Sequence, residues 1–394
     1  MPNRLFSIHN TLSTQNNILS GITFRNWAWI VCRNVRNIDF ATFFPRLVFV
    51  TLMSLFNSLM AAIEWVLHER EIRLVRLNDR PVFVLGHPRT GTTHCFNLLS
   101  LDERFAYPTT FMCGFPSYFL WFERFGKALL AGVISKTRPM DNMALSFDTP
   151  QEDELATNVL SAGASPYMPL VFMRHEREYR QYLALKDEDM TDPAGKARWV
   201  SSFTYILRKI TLYYQRARHS TSPHRLLLKS PVHTSRIALL LQLFPNAQFI
   251  YMHRHPERVL QSAMNMAQKT YWFSYLEVPS DDDIIEFIVS QFENMHREYV
   301  ATRGLVPPGN LIEVGFDELD SRPLETLERI YTHLGWAGEY ARMKPRFESY
   351  LATDAKDFQK NSFNDKLDAH LLASIKSRWK DAYEEFGYKQ NADV

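Results

Sequence analysis

The sequence has few of the features that mark an exported or metal-binding protein. Its 394 residues include three cysteines, Cys32, Cys95 and Cys113, whose spacing fits neither a disulfide framework nor a metal site. No Asn-x-Ser/Thr glycosylation sequon occurs. The first residues lack the layout of a secretory signal peptide, because polar residues run from Ser7 to Asn17. These absences predict a reducing, cytoplasmic location without a structural metal.

An excess of charge of either sign is also lacking. The 45 lysines and arginines and the 43 aspartates and glutamates give a formal net charge of +2. Proteins that bind nucleic acid usually carry a basic patch with a clear positive excess, so the composition predicts no nucleic-acid partner. Hydrophobic residues make up 46% of the chain, which is enough for a large core and for two or three domains.

One long apolar segment, from Leu47 to Ile63, contains no charged residue. It lies at the short limit for a membrane-spanning helix, which needs roughly 17–25 residues. Thr51, Ser54 and Ser58 recur in it at helical spacing and give it a narrow polar stripe. Three interpretations stay open: a helix packed on the protein or on a homodimer partner, a peripheral membrane anchor, and a true span.

The chain before and around this segment is rich in arginine. Asp39 is the acidic residue among five arginines, which are Arg4, Arg25, Arg33, Arg36 and Arg46. An anionic membrane surface would attract such a region. The sequence therefore predicts a cytoplasmic protein that is peripheral at the membrane, with a membrane-tethered protein facing a lumen as the alternative.

Four apolar runs, each followed by a helical pattern, organise the chain after residue 80. They are Pro81–Leu85, Arg225–Pro231, Ala247–Pro256 and Asn310–Phe316. Strands that alternate with helices predict an α/β fold with a P-loop-like central parallel sheet flanked by helices. Residues 1–80 are expected to form a helical, arginine- and aromatic-rich N-terminal extension, and residues 81–394 the main domain. Ligands in such folds bind at the carboxyl ends of the strands.

The turn after the first strand, "GHPRTGTTH", resembles a phosphate loop without its lysine. Gly86 and Gly91 have the spacing of the Walker loop, but Thr92 stands where that loop has lysine. Backbone N–H groups at a helix N-terminus bind a compact anion, and Arg89 adds a charge that can contact two oxygens. Hydroxyl groups come from Thr90, Thr92 and Thr93. The alternative is a strand-to-helix turn without a ligand.

A second cluster of anion-binding residue types lies in "HRHPERVLQS". Arg254 ends the third predicted strand, and Ser262 lies two turns into the following helix. An arginine, a hydroxyl and a helix N-terminus together predict a second anion pocket. A ligand with two separate phosphate-like groups would use both pockets. The alternative is a solvated helix start.

Three blocks in this order resemble the sulfotransferase family that uses 3′-phosphoadenosine 5′-phosphosulfate (PAPS). They are "GHPRTGTTH", "LLLKSPVHTSRIALLLQLFPNAQFIYMHRHPERVLQS" and "FDELDSRPLETLERIYTHLGW". The resemblance covers about Pro81 to Gly335 and is closest to the mainly bacterial branch with an arginine in the phosphosulfate loop. It implies that residues 81–394 form a sulfotransferase domain with PAPS as co-substrate and no metal, which would make the missing lysine dispensable.

The resemblance also assigns roles to individual residues. It implies that Arg89, Thr90, Gly91, Thr92 and Thr93 hold the 5′-phosphosulfate. The 3′-phosphate would be bound by Arg254 and Ser262. Negative charge builds on the bridging oxygen as the nucleotide leaves, and Arg89 and Lys229 are the cations that would stabilise it.

The general base is a separate question, because the sequence departs from the family pattern. Cytosolic members carry a histidine two residues after the strand-end lysine, and that position is Pro231 here. We rank His233 first, then Glu152, then Glu154. Cytosolic members also close over the nucleotide with an Arg-Lys-Gly segment that this chain lacks, and Lys360 is a candidate replacement.

The acceptor is suggested by two aromatic patches, Phe105–Phe125 and "TYWFSYLEVP". They form either part of the core or a hydrophobic acceptor pocket. The pocket interpretation predicts sulfuryl transfer by in-line displacement to a hydroxyl of a hydrophobic small molecule or lipid. Two alternatives remain, a P-loop phosphotransferase using ATP and a nucleotide-binding module without catalysis.

Overall fold

The computed structural model describes residues 4–141, 143–353 and 369–389, and Lys360 lies outside them. The chain divides into two compact units. The first unit comprises Met1–Asn78, Arg104–Leu228 and Ala267–Ile284. The second unit comprises Asp79–Glu103, Lys229–Met266 and Ile285–Val394. The expected boundary near residue 80 stays a prediction.

Helices dominate, and the strands are short. The strands are β1 (Val82–Leu85), β2 (Phe105–Ala106), β3 (Arg225–Lys229), β4 (Gln248–His253) and β5 (Leu311–Gly315). The helices up to β3 are α1 (Phe24–Asn34), α2 (Phe40–Leu74), α3 (Thr92–Ser100), α4 (Thr110–Gly114), α5 (Phe119–Leu129), α6 (Asp153–Leu160), α7 (Glu176–Tyr179), α8 (Gln181–Ala184) and α9 (Gly195–Ala217). The later helices are α10 (Ile237–Leu243), α11 (Pro256–Thr270), α12 (Asp281–Thr302), α13 (Phe316–Ser321), α14 (Pro323–His333), α15 (Ala337–Ala352), α16 (Ala369–Arg378) and α17 (Lys380–Glu385).

The second unit is built on a parallel sheet. Strand β4 pairs with β1 on one side, with Phe83 opposite Phe249, and with β5 on the other, with Ile250 opposite Ile312. Every residue of β1 is buried, as expected of a strand covered on both faces. In the first unit β2 pairs in parallel with β3. The predicted α/β class, parallel strands flanked by helices, is confirmed.

Three sequence-based expectations about secondary structure need correction. The helical pattern after β3 begins as a 3₁₀ helix, Pro231–Ser235, and α10 starts only at Ile237. The sequence from residue 151 to about residue 212 predicts a mostly helical segment, but the chain turns at Ala162 and Gly163, which both have positive φ, and the next long helix is α9. Strand β2 was missed, since two residues are too few to give an apolar run.

The apolar segment 47–63 is the middle of the longer helix α2. Asp39 caps its N-terminus by accepting a hydrogen bond from the Thr42 amide at 3.0 Å and another from the Thr42 hydroxyl at 2.6 Å. The bond from the hydroxyl, followed by that from the amide, lowers the pKa of Asp39. Phe43 departs from helical geometry just before Pro45 and marks a kink. Within the described residues, α2 is the helix long and apolar enough to cross a membrane.

A buried ion pair fixes α2 to α9 within the first unit. Lys209 contacts Glu64, and their side chains are 0% and 1% exposed. The Leu120 amide donates to Glu64 at 2.8 Å, and the Lys209 ammonium lies 4.6 Å from the Phe119 ring centroid. Neither charge can recover water while the unit is folded, so each depends on the other.

We therefore expect Lys209→Ala to lower the free energy of unfolding by about 3–5 kcal/mol, because it leaves the Glu64 carboxylate buried without its partner. Chemical denaturation measures this directly. Lys196→Ala is the matched control, since Lys196 pairs with the exposed Asp187 and should contribute about 1 kcal/mol or less. Equal effects of the two substitutions would contradict the buried pair.

Candidate active site

The loop between β1 and α3 has two positions that only glycine can occupy. Gly86 has φ +133°, and a Cβ there would lie 2.4 Å from the carbonyl oxygen of Met252. Gly91 has φ +91°, and a Cβ there would lie 2.4 Å from the ring of Phe316. Gly91 also precedes α3 and has no side chain to cap it, which leaves the first amides of the helix available to an anion.

Arg89, in the middle of this loop, joins the two predicted anion pockets. Its Nε donates to Ser262 Oγ at 2.9 Å, and Arg254 Nη1 donates to the Arg89 carbonyl at 3.3 Å. Arg89 has φ +78°, a conformation rarely adopted by residues other than glycine. The loop and the start of α11 therefore form one continuous cluster of donors within the second unit.

Arg254 has the properties of a ligand-binding cation. Its guanidinium carbon lies 4.0 Å from the ring centroid of Phe316, and burial lowers its pKa. Its Nε is buried and has no hydrogen-bond partner among the described residues. A buried donor on a cation is costly unless an acceptor satisfies it, so this arrangement fits a phosphate oxygen.

Lys229 is the second cation predicted to stabilise the charge on the bridging oxygen of the donor. It is the last residue of β3, its side chain is almost fully buried, and its Nζ donates to Thr93 Oγ1 at 3.3 Å. The cation is thus held at the first turn of α3. The structure brings together Lys229 and Thr93, as it does Arg89, Arg254 and Ser262.

Two threonines predicted to contact the donor, Thr90 and Thr92, are buried. Thr90 donates to the His87 carbonyl from its amide at 3.2 Å and from its hydroxyl at 2.8 Å. Both of its donors therefore close the loop. Thr92 is also buried, with 3% of its surface exposed. Their contact with a ligand stays a prediction.

His87 makes the loop sensitive to acid. Its Nδ1 lies 2.7 Å from the Pro88 carbonyl, its ring centroid lies 5.0 Å from that of Phe292, and burial lowers its pKa to about 3. Below pH ~6.5 His87 binds a proton in the unfolded chain but stays neutral in the folded chain. The free energy of unfolding therefore falls as pH falls.

We expect His87→Asn to reduce this loss of stability. Between pH ~6.5 and ~5 the variant should lose about 2 kcal/mol less than the wild type, since one pKa unit corresponds to about 1.4 kcal/mol. Denaturant unfolding across this pH range gives both slopes. Identical slopes would show that His87 is protonated in the folded protein.

The three candidate bases differ in accessibility. His233 is fully buried, with its ring edge-on to Phe83 at 5.5 Å. Glu154 is also fully buried and accepts hydrogen bonds from Ser165 Oγ at 2.7 Å and Trp199 Nε1 at 3.1 Å. Glu152 is partly exposed, occupies the N-cap position of α6 without capping it, and accepts a hydrogen bond from the Tyr167 hydroxyl.

Sequence reasoning missed two residues that shape the loop. Thr234 Oγ1 accepts a hydrogen bond from the Gly86 amide at 2.8 Å, and Phe316 supports both Gly91 and Arg254. Both lie inside the blocks that carry the family resemblance. Their residue types alone gave no signal, because neither threonine nor phenylalanine suggests a supporting role at a given position.

Most of the aromatic residues proposed for an acceptor pocket are part of the core. Those with 9% or less of their surface exposed are Phe105, Phe111, Phe115, Tyr118, Phe119, Tyr271, Trp272, Phe273 and Tyr275. Tyr107, Trp121 and Phe122 are partly exposed, and Phe125 is 68% exposed. The core interpretation therefore accounts for most of both patches, and these four residues remain candidates for contact with an acceptor.

The fold and this donor cluster define an α/β protein with a P-loop-like anion site, and comparison with known proteins identifies the family. A family model described as the sulfotransferase family matches residues 81–340. The omega-hydroxy-beta-dihydromenaquinone-9 sulfotransferases Stf3 of Mycobacterium bovis and Mycobacterium tuberculosis are each 30% identical over 94% of this chain and 91% of their own length. The chain belongs to the sulfotransferase family and is a PAPS-dependent sulfotransferase, with PAPS as its co-substrate.

Solved structures agree at the level of fold. Sulfotransferase STF1 from Mycobacterium tuberculosis aligns with a TM-score of 0.62 at 16% identity, covering 94% of this chain and 96% of that one. Sulfotransferase STF9 from Mycobacterium avium aligns with a TM-score of 0.58 at 17% identity, covering 96% and 89%.

Proposed function

We propose that this sulfotransferase transfers a sulfuryl group to the hydroxyl of a lipid-like acceptor. The supporting observation is the similarity to relatives named for a hydroxylated menaquinone, which extends over 94% of the chain. A hydrophobic acceptor also agrees with the partly exposed aromatic residues Tyr107, Trp121 and Phe122.

The donor-binding roles follow from the two groups of contacts in the second unit. We assign the 3′-phosphate to Arg254 and Ser262, because Arg254 carries the unsatisfied buried donor. The phosphosulfate is assigned to Lys229, Thr93 and the amides that follow Gly91. Arg89, hydrogen-bonded to Ser262 and to Arg254, lies between these groups and orients the loop.

In the transfer step the acceptor oxygen attacks the sulfur while the bond from sulfur to the bridging oxygen breaks. The electron pair of that bond leaves with 3′-phosphoadenosine 5′-phosphate (PAP), and the acceptor proton passes to a base. The Lys229 ammonium stabilises the charge that develops on the bridging oxygen. The carboxylate of Glu152 accepts the proton in our assignment, since it is more accessible than Glu154 and His233.

Glu152→Gln is expected to lower kcat by about 100- to 10,000-fold and to remove the acidic limb of its pH profile, as loss of a general base does. Donor affinity should stay near the wild-type value. Glu154→Gln and His233→Asn are the comparisons, and any loss of activity in them should follow a loss of folded protein. Full activity of Glu152→Gln would reassign the base.

The acceptor class is tested by incubating the purified enzyme with PAPS labelled in its sulfate and with total lipid extracts. Label is expected in an organic-soluble product that contains a sulfate ester. Water-soluble phenols and acidic peptides serve as competing acceptors. Transfer confined to those competitors would contradict the lipid assignment while leaving the sulfotransferase activity intact.

The remaining sequence-based predictions concern organisation. We propose that residues 81–394 form the sulfotransferase domain and that the enzyme is cytoplasmic. A homodimer is the alternative to a monomeric enzyme. Light scattering of the purified chain tests the homodimer.

A further inference from the structure

Between Phe40 and Glu64, none of the polar side chains of the long helix α2 is exposed. Its buried face combines the apolar residues Phe43, Leu47, Val50 and Met60 with four polar residues that are 0–1% exposed: Arg46, Ser54, Asn57 and Glu64. A surface helix of a water-soluble domain normally carries its charged and polar residues on the outward face.

The outward face of α2 is apolar. Five side chains that follow one another at intervals of three or four residues are 40–63% exposed: Phe44, Val48, Leu52, Leu55 and Leu59. At 1.5 Å per residue this stripe is roughly 22 Å long. Between Phe40 and Ile63 the charged residue is Arg46, which is buried, so no charge interrupts the stripe. Contiguous apolar surface of this kind marks an interaction site.

The buried face holds α2 against the first unit along its length. Arg46 Nη2 donates to the Asn10 carbonyl at 2.6 Å near one end. In the middle, Asn57 Nδ2 donates to the Ser20 carbonyl at 2.7 Å and the Tyr118 hydroxyl donates to Asn57 Oδ1 at 2.7 Å. The Lys209–Glu64 pair follows about two turns further on. A membrane-spanning orientation would strip these partners from α2, so the helix can present only its outward face to lipid.

Helix α1 lies beside α2 and adds positive charge. Trp27 Nε1 donates to Thr51 Oγ1 at 2.9 Å, and the Phe24 amide donates to Ser58 Oγ at 2.8 Å. The exposed residues of α1 and of the turn after it are Phe24, Arg25, Trp29, Cys32, Arg33, Val35 and Arg36. Arginines and an exposed tryptophan next to an apolar stripe are the combination found at the surface of anionic membranes.

We propose that the outward face of α2 inserts into one leaflet of an anionic lipid membrane, with α2 in the membrane plane and the α1 arginines at the headgroups. A second copy of the chain is the competing occupant. A two-fold interface on this face would bring the same arginines of both copies together, whereas lipid phosphates neutralise them. The surface deepens the proposed function by bringing the enzyme to a lipid acceptor, and it rests on that function only for the identity of the acceptor.

The test is co-sedimentation of the full chain with vesicles of phosphatidylcholine, with and without phosphatidylglycerol. We expect binding to the vesicles that contain phosphatidylglycerol, weakened by salt. Leu52→Glu combined with Leu59→Glu should lower the partition coefficient on the order of 100-fold or more, from the loss of two buried leucines and the addition of two charges. Arg25→Glu combined with Arg36→Glu should remove most of the preference for anionic lipid.

Leu305→Glu is the matched control, because Leu305 is 59% exposed and lies in the second unit. It should leave vesicle binding unchanged. Titration with PAP checks folding and the donor site in every variant, so failure of the proposed function would show there and not in sedimentation. Unchanged vesicle binding of the double leucine variant would overturn the proposal. The proposal would also be overturned if the wild-type chain did not bind vesicles. This holds whether the chain is a monomer or a dimer that the leucine substitutions dissociate.

Discussion

Lys229→Ala is expected to lower kcat on the order of 100- to 1,000-fold while the Kd for PAP changes by only a few-fold. The ammonium lies 3.3 Å from Thr93 Oγ1 at the first turn of α3, where the phosphosulfate is assigned. A fixed cation there stabilises charge that develops on the bridging oxygen in the transition state, and removing one such donor typically costs this much in kcat. PAP lacks the transferring group, so its binding should depend little on Lys229.

Steady-state kinetics with labelled PAPS, together with calorimetry for PAP, separate the two quantities. Lys380→Ala is a suitable control, because that side chain is 62% exposed and pairs with Glu384 on the same helix. It should leave both values unchanged. A Lys229→Ala enzyme with normal kcat, or one that fails only in binding PAP, would mean that the residue is not part of the transfer step.

Arg254→Ala should lower the affinity for PAP on the order of 100-fold, since hydrogen bonds to charged groups contribute about 1.5–3 kcal/mol each. The reason is geometric as well as electrostatic. The guanidinium is buried, lies against Phe316, and has an Nε donor that no described residue satisfies. A 3′-phosphate would provide the missing acceptor.

A ligand without the 3′-phosphate gives the sharpest comparison. Wild-type protein should bind PAP much more tightly than adenosine 5′-phosphate, and Arg254→Ala should bind the two nearly equally. The double comparison removes effects of the substitution that act on the whole site. If the variant keeps the wild-type preference for PAP, the 3′-phosphate is held elsewhere.

Much of the donor site could be predicted because its signals are local. Gly86 and Gly91 are needed by backbone geometry that the sequence spacing reveals, and the fully buried β1 reads as a continuous apolar run. Arg254 and Ser262 were predicted as neighbours for the same reason, because one precedes α11 and the other lies in its first turns, and Arg89 contacts both. The close link through Arg89 was not predictable, because it depends on that residue adopting positive φ.

The orientation of the polar face of α2 and the accessibility of the candidate bases depend on contacts between residues that are far apart in the sequence. The sequence showed a polar stripe on an apolar helix, but only the contacts of Thr51 with Trp27 and of Ser58 with the Phe24 amide reveal that the stripe faces the protein. Likewise His233 was ranked first on its position in the motif, and its burial against Phe83 is a property of the folded sheet. Such long-range packing leaves no periodic signal in one sequence.

The central claim is that the loop after β1 and the start of α11 together recognise a doubly charged adenosine ester. Calorimetric titration of the purified chain with PAP and, separately, with magnesium-ATP tests it most directly. The account predicts saturable binding of one PAP per chain, and markedly weaker binding of magnesium-ATP. Tight binding of magnesium-ATP with no measurable affinity for PAP would contradict it.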